Sequence, residues 1–222
     1  ILVFAVEALN ASGQPLKLDS LPEDKGALTE IEGTRAVVIP YHAKANRTWQ
    51  EEAEQLGKAI REAVKPKAGA GEIRVQIGAG RLAETTLDLP DSYREARQAL
   101  IVGSMIHGDG EFAISYGDLG VKRLLYLMID HPELDRFYQE NLAPLESYDE
   151  EWESELVPSL RVYLDHGANL NSAARALFVH RHTLRYRLEQ IAEILKVDID
   201  SQEVLLNLQI AFQIRDMRGG KR

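Results

Sequence analysis

The chain has 222 residues, 45% of them hydrophobic, no cysteine and a formal net charge of −9. That is enough material for one large or two ordinary domains with buried cores, which excludes a disordered tail. The lack of cysteine excludes a disulfide scaffold and a thiolate metal site, and no apolar run approaches the roughly 20 residues that span a bilayer.

A soluble cytoplasmic protein with no membrane partner is therefore expected. The opening ILVFAVEAL is too short for a span and lacks the basic flank and cleavage site of a signal peptide. The sequence begins at Ile1, not Met, and opens directly on a strand-like run. We expect a piece of a longer protein that lacks an N-terminal part. Charge is unevenly divided: residues 151–222 hold ten Lys/Arg against ten Asp/Glu, and all of the net −9 falls on residues 1–150. An acidic front half repels nucleic acid, so any contact with DNA must be local to the back half.

In chain order, Ile1–Ala8 suits a buried strand. Little can be assigned from Asn10 to Gly26. Ala27–Ile31 and Arg35–Tyr41 flank a Glu32-Gly33 turn signal, the pattern of a β-hairpin. Thr48 precedes a helix with Trp49, Ala53, Leu56, Ile60 and Val64 at helical spacing, ended by Pro66 and the AGAG run. Glu72–Ile77 reads as a strand, Ser92 as the cap of a helix SYREARQALIVGSMI, and Glu111–Ser115 as a last short strand. From Leu119 the pattern is helical throughout. VKRLLYLMI is interrupted at His131-Pro132, ELDRFYQENL resumes before Pro144, and Glu151–Asp165 forms a further helix. After two short helices, Asp200 or Ser201 caps a final one carrying Val204, Leu205, Leu208, Ala211 and Phe212. The expected fold class is α/β, a sheet with flanking helices over 1–118, followed by an all-α domain over 119–222.

The richest segment is NLNSAARALFVHRHTLRYRL, Asn169 to Leu188. It holds four arginines and two histidines, and no acid lies between Asp165 and Glu189. It reads as helix, turn, helix, within about 169–195. The first helix, near Asn171–Leu177, carries Ala173, Ala174 and Leu177, small enough for a close crossing, and Phe178-Val179-His180 makes the turn with Val179 plugging the corner. In the second helix, Leu184, Leu188, Ile191 and Leu195 share one face. Arg181 and Arg185 lie to one side, Arg187 to the other, and His182 and Tyr186 opposite. Its first two turns thus offer Arg, His, Thr, Arg and Tyr outward. This is the polarity of a recognition helix, whose N-terminal residues meet base edges in the major groove. Arginine bridges guanine O6 and N7, Thr and Tyr reach phosphate, and the helix N-terminus offers free N–H groups to an anion. The plainer alternative is an amphipathic helix pair with a solvated arginine face.

At these residues the chain resembles the PucR/CdaR family of bacterial transcription regulators. ARALFVHRHTLRYRLEQI is similar to their C-terminal helix-turn-helix and, more distantly, to the Fis-type motif; the likeness covers roughly 145–217. It implies a regulator that binds double-stranded promoter DNA as a homodimer or higher homo-oligomer, through Arg181, His182, Thr183, Arg185, Tyr186 and Arg187; from its place in the basic stretch, Arg175 is expected to touch only the DNA backbone. It also implies a small-molecule effector, sensed by an N-terminal region outside this sequence. The front half resembles the GGDEF-like domain of these regulators, a degenerate relative of diguanylate cyclases. EGTRAVVI lies where a cyclase carries its carboxylates, and DSYREARQAL resembles a late helix of that fold. Thr34 and Arg35 replace those carboxylates, and Ile1–Ala8 offers only Glu7 for a metal. No cyclase activity, no catalytic residue and no cofactor are expected. An alternative keeps the front domain as a nucleotide-binding or catalytic signalling module; another makes the chain a protein-binding scaffold.

Other motifs carry less. Gly78-Ala79-Gly80-Arg81-Leu82-Ala83 fits a G-x-G-x-x-A loop, but LAETTLDLP brings no second strand, so a strand-ending turn is the better reading. His42, His107, His131, His166, His180 and His182 form no metal set; His180 and His182 are expected on different helix sides, and His166 near a helix C-terminus. Glu150, Glu151, Glu153 and Glu155 read as a solvated helix start, or as a patch facing a basic partner subunit.

Overall fold

The computed structural model describes residues 1–21, 26–31, 34–39, 48–68 and 71–219. These divide into two compact units, Ile1–Leu127 and Met128–Arg222.

The first unit is built on a five-stranded sheet of β1 (Leu2–Leu9), β2 (Ala27–Ile31), β3 (Thr34–Ile39), β4 (Arg74–Ala79) and β5 (Phe112–Ser115), in the order β2-β3-β1-β4-β5. All neighbours run antiparallel except β4 and β5. The near-continuous apolar run of β1 fits its central place, because both of its faces are covered. Leu2, Phe4, Val6 and Ala8 pack with Ala53, Leu56, Ile60 and Val64 of helix α1 (Trp49–Ala68). Val3 packs with Tyr93, and Ala5 with Ala96 and Leu100, of helix α2 (Leu89–His107). One helix therefore lies on each side, as the α/β expectation required. The hairpin turn at Glu32-Gly33, the segment from Pro40 through His42, and Gly69-Ala70 lie outside the described residues.

Several boundaries differ from expectation. The Thr48 hydroxyl accepts from the Glu51 amide and the Glu51 carboxylate from the Thr48 amide, a capping box that starts α1. The helix then continues through Pro66 to Ala68. Ser92 does not cap α2. The helix opens at Leu89, with Pro90 in its first turn, and Ser92 is buried inside it, donating from Oγ to the Arg81 carbonyl at 2.7 Å. Gly78 and Gly80 explain the G-x-G pattern without a nucleotide. A Cβ at Gly78 would collide with the Ala96 carbonyl and the Leu100 amide, and one at Gly80 with the Ser92 carbonyl. These glycines let α2 lie close on β4. Helix α3 (Lys122–Leu127) packs on α2, so the compact division falls after Leu127 and not at 118/119.

The second unit is wholly helical: α4 (Pro132–Asn141), α5 (Ala143–Trp152), α6 (Leu156–Asp165), α7 (Leu170–Ala176), α8 (Arg181–Leu195) and α9 (Gln202–Met217). One core unites Leu142, Leu145, Leu160, Leu184, Ile191, Leu208 and Phe212, among others. The helix expected from Glu151 begins instead at Leu156. Glu150 and Glu151 end α5, Glu153 turns left-handed at φ 48°, and Glu155 precedes the first turn of α6. That turn is capped from a distance. The Asp149 carboxylate accepts from the Leu156 amide at 2.9 Å, from the Val157 amide at 2.7 Å and from the Ser154 hydroxyl. Negative charge there complements the helix dipole. His166 does stand at the C-terminus of α6, and Ser201 at the start of α9. Arg161 links the flanks of the unit, bonding Asp216 of α9 at 2.9 Å with its guanidinium over the Phe212 ring.

Candidate nucleic-acid interface

Helix α7 is started by Asn169, whose side chain accepts from the Ser172 amide at 2.9 Å. Ala173 and Ala174 are buried, and their small size brings α7 against α6 and α8. The helix ends without a glycine. Phe178 adopts the left-handed conformation, φ 55°, while the Val179 amide bonds the Ala174 carbonyl at 3.0 Å and the Phe178 amide bonds the Arg175 carbonyl at 3.1 Å. This closing pattern satisfies the last carbonyls of α7. Val179 then tucks against the core, while Phe178 is 96% exposed.

His180 starts α8 in an extended conformation. Its Nδ1 faces the His182 amide at 3.4 Å, and its carbonyl accepts from the Thr183 and Leu184 amides. So part of the N–H set expected to be open to a phosphate is already engaged. The two rings stack, with centroids 5.1 Å apart. The expectation that they diverge fails because His180 lies outside the helix, where helical angles do not apply. Among the described residues, no three of His, Asp and Glu gather as metal ligands.

Leu184, Leu188 and Ile191 are buried, and Leu195 is partly buried, so one face of α8 is anchored as its spacing predicts. Arg181, His182, Thr183, Arg185 and Tyr186 are all exposed, Tyr186 to 61%. Arg175, on α7, is exposed as well, with Nε 3.3 Å from the Asn171 carbonyl of its own helix. Arg187 is different. Its side chain is 22% exposed and turns onto α6, with Nη1 2.8 Å from the Ser159 hydroxyl and Nη2 2.9 Å from the Glu155 carboxylate. The seven residues expected at the interface therefore separate into six that face solvent and one held within the fold.

Comparison with known proteins matches residues 156–214 to the PucR C-terminal helix-turn-helix domain and residues 18–102 to a GGDEF-like domain. The proline-responsive transcriptional activator PutR of Bacillus subtilis is 31% identical over 56% of this chain and 30% of its own length. The purine catabolism regulatory protein of the same organism is 30% identical over 64% of this chain and 26% of its own. The carbohydrate diacid regulator of Escherichia coli is 25% identical over 89% of this chain and 50% of its own. The chain thus spans no more than half the length of these relatives. Carrying a GGDEF-like domain ahead of a PucR C-terminal helix-turn-helix domain, it belongs to the PucR/CdaR-type family.

Proposed function

We propose that this chain is the DNA-reading part of a transcription regulator, binding double-stranded promoter DNA with sequence preference through the first two turns of α8. The observation that carries the reading is a rigidly packed helix-turn-helix whose outward side chains are cationic or polar. Leu184, Leu188 and Ile191 anchor α8, while Arg181, His182, Thr183, Arg185 and Tyr186 face solvent in a stretch without acids from His166 to Leu188. Arginines in this setting read guanine edges, and Arg175 is suited to a phosphate. One such helix covers few base pairs, so useful affinity calls for a homodimer reading two half-sites about one helical turn apart. The acidic front half makes non-specific binding weak. The front domain serves in dimerisation or signal relay and catalyses nothing, since Thr34 and Arg35 stand where a cyclase holds carboxylates. Incubation with GTP and Mg²⁺ is expected to yield no cyclic dinucleotide. The relatives' names, one of them proline-responsive, support control by a small-molecule effector.

The test is fluorescence anisotropy with duplex DNA selected from a random pool, titrated across salt. Replacing Arg181 and Arg185 together by Ala is expected to weaken binding, by about 1–3 kcal/mol for each arginine–base pairing removed, and to relax the base preference. Unchanged binding in the double variant overturns the assignment.

A further inference from the structure

Arg187 sits in the middle of the basic stretch, yet it commits its guanidinium to α6. We propose that Arg187 is an orienting clamp: with Ser159 and Glu155 it fixes the rotation of α8 about its own axis, and so decides which side chains reach the bases, without touching DNA. The proposal rests on the DNA-reading role of α8 given above.

The geometry is that of a fork. One planar guanidinium meets two acceptors four residues apart at the start of α6, Ser159 Oγ at 2.8 Å and Glu155 Oε2, just before the helix, at 2.9 Å. Two bonds from one rigid plane fix orientation as well as distance. Ser159 is held at its side chain and Glu155 through its backbone, its carboxylate being 70% exposed. Ser159 is fully buried, and its hydroxyl proton goes to the Glu155 carbonyl at 2.6 Å, leaving a lone pair for Arg187. Glu155 opens the first turn of α6, which Asp149 pins through the Leu156 and Val157 amides. The clamp thus has a fixed base running back to α5.

The remaining hold on α8 is mostly apolar, through Leu184, Leu188 and Ile191. Apolar packing is non-directional and tolerates small rotations better than a hydrogen-bonded fork does. A turn of about 20° moves a side-chain tip at about 6 Å from the helix axis by about 2 Å. That is enough to break a bidentate base pairing, which works within a few tenths of an ångström. Losing the clamp should therefore cost discrimination between sequences more than attraction to phosphate.

The experiment uses the full chain as wild type, Arg187→Met, Glu155→Ala, the two combined, and Arg175→Ala. Each is titrated by anisotropy, across salt, on the best duplex selected for the wild type and on a duplex altered at one base pair. For Arg187→Met and Glu155→Ala the expected result is an unchanged salt slope with discrimination reduced about fivefold or more, within the range of a single base-pair preference. The combined variant should be no worse than Arg187→Met alone. Arg175→Ala, which removes the exposed cation suited to a phosphate, provides the contrast by flattening the slope. A slope reduced by about 0.9 in Arg187→Met marks a phosphate contact and overturns the clamp; so does unaltered discrimination in both single variants. If Arg187→Met fails to fold, Glu155→Ala decides, because it removes one acceptor of the fork and leaves Arg187 and Ser159 in place. A wild-type chain that retains no duplex overturns the DNA reading itself, whereas normal wild-type binding with either overturning result removes the clamp alone.

Discussion

Replacing Phe178 by Gly is expected to stabilise the helical unit, although it deletes a large aromatic side chain. The ring is 96% exposed, so its removal costs almost no burial. The backbone at this position has φ 55° and closes α7 through the Val179 and Phe178 amides. A residue with a Cβ needs about 1–2 kcal/mol to adopt that conformation. Glycine is free of the penalty but loses about 0.5–1 kcal/mol through the greater entropy of its unfolded chain. The difference favours glycine by about 0–1.5 kcal/mol, centred on about 0.75 kcal/mol. Urea denaturation checks this, followed by Trp152 fluorescence in a Trp49→Phe background, so that the emission reports only the second unit. Phe178→Ala is the control, because alanine keeps the Cβ and the strain; it should gain nothing. A glycine variant less stable than the parent, or an equal gain from alanine, would refute the reasoning and place the stabilising role in the ring.

Two further outcomes follow from the same unit. Asp149→Ala strips the cap from α6 and should cost about 1–2 kcal/mol in the same denaturation assay, with Asp149→Asn retaining part of it; a loss of only a few tenths would show that the Leu156 and Val157 amides find water instead. Tyr138 is bonded to Glu146, and burial, then this bond, push its phenol up to about 12. The unfolded phenol loses its proton near pH 10, so between about pH 10 and 12 the unfolded state binds fewer protons and stability falls as pH rises. Tyr138→Phe should remove that part of the alkaline slope, as read by circular dichroism at a series of pH values; an identical slope in both proteins would refute it.

The spacing of Leu184, Leu188 and Ile191 makes the buried face of α8 legible, because a helix repeats its face by simple geometry. The roles of its arginines are less so. Arg181 and Arg187 each lie about 60° from Leu184, on opposite sides, and the wheel alone cannot tell which side α6 occupies. That depends on how α6 and α8 cross, a tertiary fact. Asp149 is invisible for a similar reason: it caps a helix that begins seven residues later, across a left-handed turn at Glu153. Ser92 misleads because serine favours helix starts, while Pro90 marks the first turn more faithfully. The end of α7 carries no glycine to announce it. In the front unit the apolar run of β1 suffices to expect a covered strand, but only its partners show why Gly78 and Gly80 must be glycine.

The alternation along β1 has a consequence for how chains of this kind can vary in length. Leu2, Phe4, Val6 and Ala8 answer to α1, and Val3 and Ala5 to α2. Inserting or deleting one residue there would exchange the two sets and, on both sides at once, break the pairing with β3 and β4. Homologous chains should therefore show gaps in the stretch between β1 and β2 and keep an unbroken count from Leu2 to Leu9, so that this strand supplies the fixed origin from which an alignment of the front domain can be measured.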